Sequence, residues 1–150
     1  MTKSGVVIFR SCRSAKPSGL PDRLKEGYGL NATGLEHLAA RGVKVVVTVD
    51  CGINAREPAR RATELGLDLI ITDHHEVEPP LPAALAVVNP KIAGSAYPFP
   101  EIAGVGVAFK LVWGIGQQLS ESDRVSDTFK DLLMEMLSLV AVGTDRKSVV

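Results

Sequence analysis

GVKVVVTVDCGINAREPARRATELGLDLIITDHHE, residues 42–76, decides the fold. Val43 to Val49 is β-branched and nearly continuous in apolar character, as expected of a strand covered on both faces. Leu67 to Thr72 repeats that character. Between them, Asn54 is expected to start a helix running to Leu65. Glu57 completes an Asn-x-x-Glu variant of the capping box, Pro58 is tolerable in a first turn, and Gly66 is the stop. Strand, helix and strand at this length predict two parallel strands joined by a right-handed crossover. The first strand ends at Asp50 and the second at Asp73-His74-His75.

Upstream, Asn31 can cap a helix over Ala32 to Arg41, with Gly42 as its stop. Downstream come a proline-rich loop, Glu76 to Leu85, and a short strand at Ala86 to Val88. A helix over Gly104 to Leu119 carries glycines and alanines that predict close packing, and a last helix spans Thr128 to about Val142. No internal repeat or low-complexity tract interrupts this order. The expected fold class is α/β, a doubly wound, mainly parallel sheet.

The 150 residues amount to about one domain, and 45% hydrophobic with 23% charged residues is a globular composition. The longest apolar runs stop well short of the roughly 20 residues of a membrane span, so no membrane partner is expected. The N-terminus lacks the long apolar core and small-residue cleavage site of a secretory signal. Cys12 and Cys51 form neither a disulfide framework nor a zinc spacing, which fits a reducing, cytoplasmic setting. Formal charge is zero, so a basic surface does not advertise a polyanion partner. Bound cations would supply positive charge that this count omits.

In open parallel sheets, ligands bind outside the carboxyl ends of the strands. Two of only three histidines sit side by side at one such end, and Asp50 sits at another. Neighbouring strands lie about 5 Å apart, so both tips can reach one ion. Carboxylate and imidazole together suit Mn²⁺, Fe²⁺ or Zn²⁺. Adjacent residues of an extended chain point to opposite sides, so His74 and His75 are expected to do different jobs. One would coordinate metal and the other would face substrate phosphate or move a proton, with a carboxylate orienting the ligand imidazole.

Plainer readings compete. Asp50 alone would pass for a turn or cap residue, and the histidine pair for a structural one. His37 reads as a surface residue, and Cys51 as a small buried one rather than a nucleophile. The glycines of AGVGV, residues 103–107, lack the GxGxxG spacing and suit helix packing better than phosphate binding.

TVDCGI followed about twenty residues later by ITDHHE resembles the DHH phosphoesterase superfamily. Arg23 to Asn31, Leu85 to Lys91, Tyr97 to Leu111 and Leu132 to Thr144 extend the likeness to its RecJ-type members, which are 5′→3′ single-strand-specific DNA exonucleases. The resemblance covers roughly residues 20–144, expected to form a partial DHH domain. It implies that Asp50 bridges two divalent ions, Mn²⁺ or Mg²⁺, and that His74 ligates one of them. Asp73 would support His74, and His75 would face the scissile phosphate, making Asp73 and His75 the catalytic pair of a two-metal hydrolysis. Arg23 and Tyr28 would lie near the nucleic-acid path. Implied partners are single-stranded DNA and, for the full-length protein, a single-strand-binding protein.

Two departures qualify the likeness. The family's first motif is an Asp-rich stretch after its first strand, whereas residues 1–19 carry no acid and read as divergent or foreign. The domain is therefore expected to lack that strand, to expose a sheet edge and to be prone to aggregation. After Gly143-Thr144, Lys147 stands where the family has an aspartate, so residues 145–150 read as a divergent tail. DRKSVV matches one reading frame of a common sequencing adapter, which makes an artefact the expected origin. With two of four metal-binding motifs missing, this chain is expected to be inactive alone. The alternatives are a small-substrate phosphoesterase acting on oligonucleotides, cyclic dinucleotides or pyrophosphate, and a degenerate, non-catalytic binding module.

Overall fold

The computed structural model describes residues 6–10, 29–120 and 122–145. Its centre is a four-stranded parallel sheet in the order β1-β2-β3-β4, formed by Val6–Arg10, Val45–Val49, Asp68–Thr72 and Ala86–Val88. Val45 pairs with Asp68 and Val49 with Thr72, so β2 and β3 are parallel neighbours as the βαβ reading requires. β4 extends the sheet, pairing Ile70 with Ala86 and Thr72 with Val88.

Four helices accompany the sheet among the described residues: α1 (Ala32–Ala40), α2 (Arg56–Glu64), α3 (Gly104–Leu119) and α4 (Asp127–Asp145). One face of the sheet presents Val46, Leu69 and Ile71 to Leu35 and Leu38 of α1 and to Ala59 and Ala62 of α2, and these residues form the core. The small alanines let α2 lie close over the strands. Side chains on the alternate face, Val45, Val47, Val49 and Ile70, are half-buried. α3 packs across β2 and β3, and α4 packs on α3. Glycines make the α3–α4 contact close: a methyl at Gly116 would lie 2.3 Å from Phe129, and one at Gly143 2.6 Å from Val105. The expectation of an α/β fold on a parallel sheet holds, and the glycines of residues 103–107 belong to a helix start.

Three expectations need correction. The sheet does not lack a strand beside β2, because Val6–Arg10 occupies that edge with Val6 opposite Val45 and Arg10 opposite Val49. Asn54 does not cap α2: the cap position is Ala55, without a side-chain bond, and Asn54 instead bonds the backbone of Glu76 and Glu78. The last helix does not stop near Val142 but continues to Asp145, with Thr144 Oγ1 donating to the Val140 carbonyl. The Asn31 cap is present, its side chain accepting from the Gly34 N–H at 2.8 Å.

Candidate metal centre

β2 and β3 end level with each other, and two threonines lock their ends. Thr72 Oγ1 donates to the Thr48 carbonyl at 2.5 Å, and Thr48 Oγ1 donates to the Cys51 carbonyl at 2.7 Å. The Asp50 N–H still donates to the Thr72 carbonyl at 3.0 Å, extending the ladder one residue beyond the strand. Asp50 itself has φ of 64°, in the left-handed region, where aspartate is among the few tolerated side chains. Its carboxylate meets the imidazole from the next strand: Oδ1 lies 2.9 Å from His74 Nε2.

Beyond Thr72 the chain leaves extended geometry. Asp73 Oδ1 accepts the N–H groups of His74 at 2.8 Å and His75 at 3.3 Å, folding the triplet back on its own carboxylate. The His75 ring returns to the same oxygen, with Nδ1 at 2.6 Å, and Oδ2 accepts the Ile53 N–H at 3.0 Å. Burial opposes the charge of Asp73, but these four donors outweigh it and hold the carboxyl below its ordinary value of 3.8. Asp73 is therefore an anion within the fold, 1% exposed.

This turn overrides two expectations. The carboxylate of Asp73 holds the ring of His75 rather than that of His74. The two imidazoles do not point to opposite sides: their centroids are 4.6 Å apart, because the alternation argument applies only to extended backbone. Asp50, His74 and His75 thereby offer ligand atoms all within 4.8 Å of one another. The proximity expected of Asp50 and His74 is met, and His75 joins them. Arg23 and Tyr28 lie outside the described residues. His37 is exposed. Cys51 is buried, and burial followed by the charges of Asp73 and Asp50 pushes its thiol up to about 11, which suits a packing residue rather than a nucleophile.

The loop after the triplet is tied down by residues that the sequence reading did not single out. Arg56, at the start of α2, donates to the carbonyls of Glu78, Pro79 and Pro80 at 2.6, 3.1 and 2.7 Å. Asn89, at the end of β4, donates to the His75 carbonyl at 3.0 Å. Lys91 reaches Glu76 at 2.5 Å and Glu101 at 3.4 Å. No local pattern announces these partners, since each lies 10 to 24 residues away in sequence.

The donor set suits a cation. Oδ1 of Asp50 is buried and accepts no hydrogen bond, although His74 Nε2 lies 2.9 Å away. A buried carboxylate oxygen without a donor carries a desolvation cost that a bound cation would offset. An acid with two imidazoles matches the ligand preferences of Mn²⁺ and its neighbours.

Comparison with known proteins gives the family. Residues 5–144 match the DHH family, N-terminal domain. The chain is 47% identical over 125 residues to the single-stranded-DNA-specific exonuclease RecJ of Bacillus subtilis (strain 168), covering 83% of this chain and 14% of that protein. It is 38% identical over 146 residues to the RecJ of Escherichia coli (strain K12), covering 95% and 25%. Among solved structures it resembles exonuclease RecJ bound to manganese, with a TM-score of 0.55 and 37% identity over 66% of this chain and 25% of the other. RecJ from Thermus thermophilus in complex with Mn²⁺ gives 0.58 and 27%, over 75% and 15%. The chain thus spans a quarter or less of the length of these relatives. Its fold, its convergent acid and histidines and the match over nearly all its residues place it in the DHH family.

Proposed function

We propose that this chain is a metal-binding fragment of a RecJ-like phosphodiesterase that hydrolyses single-stranded DNA 5′→3′ in cytoplasmic DNA repair and recombination. The observation that carries the reading is the convergence of Asp50, His74 and His75 within 4.8 Å at the carboxyl edge of the sheet. Asp50 and His74 would hold a divalent cation, manganese or magnesium, and Asp73 fixes the ring of His75 beside them. When bound, such an ion neutralises phosphate charge and lowers the pKa of its water. His75, whose side chain is 54% exposed, is the residue available to a phosphate approaching from solvent. Arg23 and Tyr28 are proposed to lie along the path of the strand. A single-strand-binding protein is proposed as a partner of the longer protein.

The chain alone is proposed to bind one ion weakly and to lack robust nuclease activity, because residues 1–19 offer no carboxylate. Isothermal titration with Mn²⁺ tests the first claim: the wild-type chain should take up one ion, and Asp50→Asn or His74→Ala should abolish uptake. No uptake by the wild type would favour a non-catalytic module instead. Digestion of 5′-labelled single-stranded DNA tests the second, and robust activity lost in His74→Ala would overturn it. In the full-length protein, faster turnover of dinucleotides than of long strands would favour a small-substrate phosphoesterase.

A further inference from the structure

We infer that Gly104, the first residue of α3, is a positioning residue for the metal centre: its missing side chain is the space that the Asp50 carboxylate occupies. This rests on the reading of Asp50 as a ligand. A Cβ built on Gly104 would stand 2.2 Å from Asp50 Oδ1, 2.8 Å from its Cγ and 3.1 Å from its Cβ. All three atoms belong to one side chain, so the collision is with the ligand group itself and not with backbone.

The contact is relieved most readily by the Asp50 side chain. Its backbone is held by the bond to Thr72 and by a φ of 64°. The buried Oδ1 is both the atom struck and the atom 2.9 Å from His74. Any side chain at position 104 therefore turns the carboxylate away from His74 while the sheet stays in place. Gly114, in the same helix, has open space around its missing Cβ and serves as a control for helix propensity.

The test compares Gly104→Ala, Gly114→Ala and wild type in the full 150-residue chain by titration with Mn²⁺. Gly104→Ala should lower affinity by about 10- to 100-fold, the usual effect of disturbing a group that orients a ligand, and Gly114→Ala should not. Wild-type affinity in Gly104→Ala would overturn the inference. Thermal melts of the metal-free proteins read the same contact independently. Gly104→Ala should lower Tm in the wild-type background and not in an Asp50→Gly background, whereas equal losses in both would overturn it. If the wild type takes up no Mn²⁺, the reading of Asp50 as a ligand fails, and the melting comparison alone then judges whether Gly104 makes room for that carboxylate.

Discussion

Asp73 is the residue whose loss should be felt most widely. In Asp73→Asn the amide oxygen can keep the position of Oδ1, which serves the N–H groups of His74 and His75 and the His75 ring. The NH₂ group then faces the Ile53 N–H, donor against donor, in a region where Ile53 is 2% exposed. An unsatisfied buried donor costs about 1–3 kcal/mol. The bonds that remain are no longer charge-assisted and are roughly half as strong. The total is about 2–4 kcal/mol. The opposite amide rotamer is worse, since NH₂ would then meet two backbone donors. At about 2–4 °C per kcal/mol for a chain of this size, Tm should fall by roughly 5–15 °C.

The pH dependence follows from the direction of the Asp73 shift. A carboxyl held below 3.8 in the fold contributes stability that is present above that value and is lost as pH falls through the lower, folded value. The wild type should therefore lose stability below about pH 4 more steeply than Asp73→Asn, and the two melting curves should converge in acid. Circular dichroism melts from pH 7 to pH 3 measure both effects. A variant that melts within about 1 °C of wild type at pH 7, or a gap that stays constant into acid, would refute the reasoning.

Three further outcomes are expected. Arg56→Ala removes three bonds to the 78–80 carbonyls and should speed amide hydrogen exchange across residues 76–85 while lowering stability by roughly 1 kcal/mol; exchange at the wild-type rate would count against the clamp. Cys51 should resist iodoacetamide at pH 8 in the native chain and react in urea, as read by mass spectrometry of its peptide, because burial and two nearby carboxylates hold the thiol at about 11. Leu35→Ala should cost about 2–5 kcal/mol in urea denaturation, since Leu35 is 1% exposed and packs at the centre of the core.

What could be read in advance followed from periodicity and punctuation. The Val45–Val49 strand announces itself by unbroken β-branched character and Asp68–Thr72 by its Leu-Ile-Ile-Thr run, and Gly42 and Gly66 mark helix ends with φ of 77° and 67°. Acid and histidine at the strand ends mark the candidate site in the sequence itself. Three features escaped, two because distant partners settle them and one because a local turn does. Val6–Arg10 is too short to be distinguished from other brief apolar runs until β2 is beside it. Asn54 has the chemistry of a cap, but backbone groups 22 and 24 residues away claim its amide. The His75–Asp73 pairing depends on a tight turn, whereas alternation describes only straight strands.

The left-handed backbone at position 50 narrows what can stand there. Asparagine or glycine would accept a φ of 64° but bring no anion. Glutamate would bring the anion on a stem one methylene longer, into a slot already closed by the first turn of α3, and would sit less comfortably at that torsion. Backbone conformation and ligand reach are thus separate filters, and aspartate passes both where asparagine, glycine and glutamate each fall short on one, so an acid-for-acid exchange at this site is a disruptive change.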